Sequence, residues 1–321
     1  MRAVLAERYG PPQALRLVEI ARPQPGPGEV LVRVHAASVN SWDWDRLVGN
    51  PMARVTEPFG PSHKIGGADI AGVVEALGTG AKGFAVGDRV FGDLSDGAWG
   101  AFADYARAKT SALAPIPDDL DFIDAAAIPQ AGALALQGLR KRSVAGASVL
   151  INGAGGGVGT FAIQLARQMG AASVTAVDTA IKRERLLALG ADTFIDYRTT
   201  DFAAEPKRYD LIVDVVARRS AGAYARVLRQ GGTVVVIGGT ISSLLSVACF
   251  GGAIGSMQKK RLGVLVYKIA PLDFSELAHQ CVAGQLKPVI DGVFPLERTA
   301  EALERLGSGD AIGKVVVSVS T

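Results

Sequence analysis

The sequence predicts an α/β protein: a doubly wound parallel sheet joined to a mostly β domain. Three observations point there. Between residues 148 and 237, aliphatic runs alternate with amphipathic stretches that end at glycine. A glycine-rich turn at 153–159 joins the first of those runs to the first of those stretches. Outside this region the chain reads as short apolar runs broken by Gly and Pro, the texture of short strands and tight turns.

The opening is interrupted by Pro11, Pro12, Pro23, Pro25, Pro27 and Gly28. Residues 29–39 (EVLVRVHAASV) alternate in part with period two and read as a strand. Further short strands are expected at Val73-Val74, Val90-Phe91 and 101–105, separated by turns such as Gly78-Thr79-Gly80 and Gly87-Asp88. The texture changes near Asp118, and 121–138 is Ala-rich with helical spacing. Then come a strand at 148–152, a helix at 158–169 stopped by Gly170, a strand at 173–177 and a helix at 180–189 stopped by Gly190. A strand at 210–216, a helix at 221–229 stopped by Gly231 and a strand at 233–237 follow. This alternation implies parallel strands with right-handed crossovers. LIVDVV and TVVVIG are continuous apolar runs, as strands buried on both faces should be. After about residue 265 the β texture returns, with a strand at 287–294, a helix at 296–306 and a strand at 314–319. The tail is expected to rejoin the first domain, giving a domain of 1–122 completed by 266–321 around an α/β domain of 123–265.

Composition narrows the function. Of 321 residues, 49% are apolar, and 34 basic residues nearly balance 31 acidic ones, for a net charge of +3. Such a chain folds, and it has no general pull toward nucleic acid or an anionic membrane. Two cysteines, Cys249 and Cys281, exclude a disulfide framework and a Cys-rich metal site, and fit a reducing compartment. The N-terminus, MRAVLAERYG, reads as neither a signal peptide nor an arginine-rich presequence. No uninterrupted apolar run reaches the roughly 18 residues of a membrane span. The nearest, 241–254, is shorter and rich in Gly and Ser. A cytoplasmic protein is expected.

The strongest motif is VLINGAGGGVG (149–159). Aligned as G/A-x-G-x-x-G, its positions are Ala154, Gly156 and Gly159, with Gly157 and Val158 opening the helix. The first small residue permits a tight turn, the second lets backbone N–H groups approach a pyrophosphate, and the third lets helix and strand pack. The helix N-terminus then faces the phosphates with its partial positive charge. Asp178 ends the next strand, about 20 residues on, where an acid usually holds the adenosine ribose hydroxyls. That acid favours NADH. Lys182, Arg183, Tyr197 and Arg198 lie where a 2′-phosphate would be held, or on a solvated helix face and loop.

The whole pattern resembles the medium-chain dehydrogenase/reductase superfamily, in its zinc-free quinone oxidoreductase (zeta-crystallin-like) branch. The carrying segments are PGPGEVLVRVHAASVNSWDWD (25–45), GADIAGVVEALGTGAKGFAVGDRVFG (67–92), VLINGAGGGVGTFAIQLAR (149–167), LGADTFIDY (189–197), YDLIVDVV (209–216) and GKVVVSV (313–319). The resemblance implies a GroES-like β domain beside a Rossmann domain, an active site in the cleft between them, and NADPH as cofactor. Residues 241–266 carry aliphatic stretches with little charge and are expected to supply a homodimer contact by sheet extension, as in relatives. At the positions where zinc-dependent relatives carry ligands, this chain has Asn40, Ala68-Asp69 and Gln130. The segment that is cysteine-rich in relatives with a structural zinc, 91–110, has no Cys here. Zinc prefers thiolate and imidazole ligands, and His35, His63 and His279 are scattered without metal spacing, so no metal site is expected.

Without a Lewis acid, hydride donation suits an electrophile such as a quinone or an enone better than a simple ketone. Asn40 lies at a strand end where the resemblance implies an amide near the nicotinamide and substrate, able to hydrogen-bond a developing oxyanion; otherwise it is a turn-capping residue. Asp43 is the second candidate, or the acid of a helix N-terminus. Asp45 stands where relatives often carry a Tyr. Trp42 and Trp44 offer flat apolar surface to a ring substrate, or pack in the core. Lys64 reads as a surface residue. The resemblance implies that Gln130, with Pro129 and Gly132, packs against the nicotinamide. Gly238, with Gly239, should flank the cofactor beyond a strand C-terminus. Lys314 resembles a cofactor-proximal position, or is a strand-edge Lys. Cys249 and Cys281 are expected to be inert. The expected function is zinc-independent NAD(P)H-dependent reduction of a quinone or activated C=C bond. The alternatives are a zinc-free alcohol or aldehyde dehydrogenase or reductase, and a non-catalytic dinucleotide-binding protein.

Overall fold

A computed structural model describes residues 1–97, 99–204 and 208–319, with backbone alone at 52 and 56. The chain forms two compact units, one of Met1–Ala133 with Ile269–Thr321, the other of Leu134–Lys268.

The second unit is built on a six-stranded sheet. Its spatial order is Thr193–Asp196, Ser173–Asp178, Ser148–Asn152, Tyr209–Asp214, Leu228–Val236, Arg261–Val264. Every neighbouring pair is parallel. Because the strands are parallel, their C-terminal ends share one edge, and the turns after Asn152, Asp178, Asp214 and Val236 line it. The central strands carry Val149, Leu150, Ile151, Leu211, Ile212 and Val213 with no exposed surface, as continuous apolar runs require. A buried Asp214 ties two strand ends to a helix: it accepts from Asn152 Nδ2 (2.8 Å) and from the Tyr224 hydroxyl (2.7 Å).

The first unit holds a seven-stranded sheet around Glu29–Val39. That strand pairs antiparallel with Asp69–Leu77, Tyr105–Lys109 and Lys314–Ser318. Ile290–Pro295 adds in parallel to Lys314–Ser318, so the C-terminal strands complete a sheet begun near the N-terminus. Val30, Val32, Val34, Ile70, Val90, Val315 and Val317 fill the core on one side.

Several elements differ from expectation for identifiable reasons. The Ala-rich stretch is two helices, Phe122–Ala127 and Pro129–Leu139, because Pro129 cannot continue the first and is well placed in the opening turn of the second. The strand expected at 101–105 lies at Tyr105–Lys109. Helices Pro51–Thr56 and Pro271–Val282 lie where no helix was expected, and helix Ser41–Val48 has Asp43 as an acid in its first turn. The largest departure is Ile241–Gln258, a single helix of 18 residues capped by Thr240. Its small residues mark a helix face: a Cβ at Gly251 would lie 2.8 Å from Leu262 O, and one at Gly255 2.6 Å from Lys260 O. Among the described residues it is the one helix long and apolar enough to cross a membrane by length and composition.

Candidate functional site

In the first unit three strand ends meet. The register sets Ser38 opposite Asp69 and Val39 opposite Val315, which brings Asn40, Asp69 and Lys314 side by side. Asp69 is wholly buried. Its Oδ2 accepts from Ser38 Oγ (2.9 Å), Asn40 Nδ2 (3.0 Å) and Lys314 Nζ (3.4 Å), and its Oδ1 accepts from the Gln130 backbone N–H (3.2 Å). A buried carboxylate is tolerable only with this much compensation. Lys314, 2% exposed, also donates to Val39 O (3.2 Å) and to Asn40 Oδ1.

These contacts fix the Asn40 amide. Its oxygen faces an ammonium and its nitrogen faces a carboxylate. Turning it over would set N–H against ammonium and oxygen against carboxylate, so only one orientation satisfies both neighbours. One of the two Nδ2 hydrogens serves Asp69; the amide carries a second.

Asp43 lies beside this cluster, in the first turn of Ser41–Val48. Its Oδ2 accepts from Asn40 N (2.8 Å) and its Oδ1 from Gly67 N (2.9 Å). Burial pushes its carboxyl up to about 7; the two N–H donors pull the other way and the Asp69 charge adds to the rise. Gln130 is buried, and its Nε2 has no partner among the described residues. Trp42 is 43% exposed, whereas the Trp44 ring lies against Gly307 and belongs to the core packing. Lys64 is exposed. His35 stacks on Phe122 at 4.3 Å, while His63 and His279 are exposed elsewhere. Burial pushes the Cys281 thiol up to about 12, and Cys249 is exposed on Ile241–Gln258.

In the second unit the glycine loop runs from Ser148–Asn152 into helix Gly157–Gln168. The turn residue with positive φ is Gly153 (φ 78°), one position before the expected Ala154. Ala154 is buried and its N–H, like that of Gly153, bonds Val177 O at 3.1 Å. Gly159 has the expected packing role: a Cβ there would lie 2.4 Å from Gly153 O. Gly156 is different, since the nearest atom to its Cβ would be 3.6 Å away. That leaves room in front of the helix N-terminus, where the first N–H groups, those of Gly157 and Val158 among them, lack intrahelical acceptors.

Asp178 is turned inward. Its Oδ2 accepts from Gly155 N (2.8 Å), its Oδ1 from Thr179 N (2.8 Å), and Lys182 Nζ lies 3.4 Å from Oδ1 with both side chains buried. Thr179 Oγ1 is buried without a partner among the described residues. Tyr197, 53% exposed, follows strand Thr193–Asp196, and Arg183 and Arg198 are exposed. Gly238 and Gly239 sit on the same C-terminal edge, held against the chain at 215–217: Ala217 N donates to Gly238 O at 2.9 Å.

Asp69 was expected only as the residue at a zinc-ligand position of relatives, and Gly153, Gly155 and Thr179 were not among the expected site residues. For Gly155 the signal lay in the third dimension, since a Cβ there would meet Lys182 Cδ at 2.4 Å. For Asp69 the signal was an acid at the start of a buried apolar strand.

A dinucleotide loop in a parallel sheet and a GroES-like β unit in the same chain define a two-domain dinucleotide-dependent class. Comparisons with known proteins narrow it. Residues 26–118 match the family described as alcohol dehydrogenase GroES-like domain, and 189–317 the family described as zinc-binding dehydrogenase. The chain is 34% identical to quinone oxidoreductase of Homo sapiens, over 99% of this chain and 97% of that protein. It is 33% identical to the chloroplastic NADPH-dependent alkenal/one oxidoreductase of Arabidopsis thaliana, over 99% of this chain and 79% of that protein. The quinone oxidoreductase structure from Coxiella burnetii superposes with a TM-score of 0.88 at 30% identity, covering 100% of this chain and 99% of that one. The chain belongs to the medium-chain dehydrogenase/reductase family, in its quinone oxidoreductase branch.

One family description names zinc, and the residues here do not fit it. The three positions expected to correspond to zinc ligands supply two side-chain amides, those of Asn40 and Gln130, and one carboxylate, which already faces the Lys314 ammonium. Among the described residues no group of three or more His, Cys, Asp or Glu is placed to hold a metal ion.

Proposed function

We propose that this chain is an NADPH-dependent reductase of quinones and of C=C bonds conjugated to a carbonyl. The observation that carries the reading is the Asn40 amide, locked by Asp69 and Lys314 with an N–H to spare. Such a donor stabilises negative charge developing on a substrate oxygen. A quinone or enone is already electrophilic and needs no Lewis acid to accept hydride. Bound NADPH supplies that hydride. Two relatives bear names, quinone oxidoreductase and alkenal/one oxidoreductase, that match this substrate class.

The chain's own residues fit such a cofactor. The N–H groups at the start of Gly157–Gln168 suit a pyrophosphate, with Gly156 leaving space and Gly238 flanking the same sheet edge. Gln130 Nε2 and Thr179 Oγ1 are buried groups that lack a partner among the described residues, which a ligand acceptor would satisfy. NADPH is favoured over NADH because Asp178 spends its oxygens on internal donors and its charge is offset by Lys182. A 2′-phosphate then meets a neutralised acid, with Tyr197, Arg183 and Arg198 exposed nearby in sequence. Trp42 offers an exposed flat face to a ring substrate. Oxidation of NADPH in the presence of 1,4-benzoquinone or a 2-alkenal tests the reading.

The second unit also carries a surface suited to a second copy of the chain. Helix Ile241–Gln258 exposes Ile241, Leu245, Phe250 and Met257, and Arg261–Val264 is an edge strand. We propose a homodimer through this face.

A further inference from the structure

We propose that Lys314 is a positioning residue that sets the polarity of the Asn40 amide, its ammonium being a cation built into the site. This rests on the reading of Asn40 as a donor to the substrate oxygen. A side-chain amide at a strand end can rotate by half a turn and offer either its oxygen or its nitrogen. An ammonium on one side and a carboxylate on the other remove that choice. Asp69 alone would not suffice: Ser38 Oγ and Gln130 N also compete for its oxygens. Lys314 binds the other end of the amide and offsets the Asp69 charge that would oppose a developing oxyanion nearby. Its backbone position follows from the register of Val315 with Val39, so the C-terminal strand delivers the cation to the site. The cluster therefore has its positive charge from a side chain, which accounts for a family member whose ligand positions do not suit zinc.

The experiment compares wild type, Lys314→Met, the charge-neutral pair Lys314→Met with Asp69→Asn, Asn40→Ala, and the triple combination. Kinetics with NADPH and a 2-alkenal should show kcat reduced about 10- to 100-fold in the charge-neutral pair, with KM for NADPH within about threefold, as for loss of a transition-state donor. Asn40→Ala should show a similar loss, and adding the charge-neutral pair to it should cost less than about threefold more, because residues acting as one unit are not additive. A charge-neutral pair with wild-type kcat, or losses that multiply, would overturn the proposal. If Lys314→Met alone does not fold, the charge-neutral pair still carries the test, since it leaves no unpaired buried charge. A second readout needs no turnover: the Asn40 side-chain NH2 signals in asparagine-labelled protein, assigned by their loss in Asn40→Ala. They should exchange slowly with solvent in wild type and faster in the charge-neutral pair. Unchanged exchange would overturn the proposal even if wild type reduced none of the acceptors, a result that would by itself remove only the functional reading.

Discussion

The Lys314 ammonium faces the Asp69 carboxylate at 3.4 Å, and the two residues lie 245 positions apart in the chain. Both side chains are buried, so their attraction must offset the removal of two charges from water. It does so only with help from Ser38, Asn40, Gln130 and Val39. Removing one partner leaves the other charge stranded. Lys314→Met should therefore cost about 3–5 kcal/mol, and adding Asp69→Asn should recover most of it. Urea denaturation of the two variants measures this; equal stabilities would contradict it.

Gly159 and Gly156 should separate packing from binding. A Cβ at Gly159 meets backbone at 2.4 Å, whereas one at Gly156 meets nothing nearer than 3.6 Å. Gly159→Ala should lower stability by about 1–3 kcal/mol, as overpacking does. Gly156→Ala should leave the melting temperature nearly unchanged while weakening NADPH binding about tenfold or more, on the expectation that the phosphates need close backbone approach. Thermal melts and fluorescence titration distinguish the two.

Asp43 predicts a pH dependence of stability. Its carboxyl rises from 3.8 to about 7 in the folded protein, first through burial. Between those values the folded state holds a proton that the unfolded state has released. Its contribution is thus full below about pH 4 and is lost as pH rises through about 7. Asp43→Asn should flatten the fall across that window, at a cost of about 1–3 kcal/mol for the N–H left short of an acceptor. Urea midpoints between pH 4 and pH 8 test the difference; parallel curves would contradict it.

The exposed face of Ile241–Gln258 predicts self-association. Wild type should elute with a two-chain mass at micromolar concentration, and Leu245→Glu with Phe250→Glu should give a one-chain mass. Light scattering decides, and a one-chain mass for wild type would remove the dimer.

Much of the second unit was legible in the sequence because parallel strands buried on both faces must be apolar throughout, and the strand at Ser148–Asn152 falls where it was expected. Asn40 and Lys314 were also visible as candidates, one as a strand-end amide and one through family resemblance. What joins them was not. Their meeting depends on antiparallel register between strands almost a chain length apart, which no local pattern encodes. Helix Ile241–Gln258 was hidden for a different reason. Its own apolar residues are spread around every side, so it lacks the polar face that marks a helix, and its glycines Gly251 and Gly255 serve close packing on Leu262 and Lys260.

The most direct test of the central claim is oxidation of NADPH and NADH, in parallel, against 1,4-benzoquinone, a 2-alkenal and a simple aldehyde, with and without a zinc chelator. The account predicts turnover of the quinone or the alkenal, faster with NADPH, and unchanged by chelator. Turnover of the aldehyde alone, lost with chelator and restored by zinc, would contradict it.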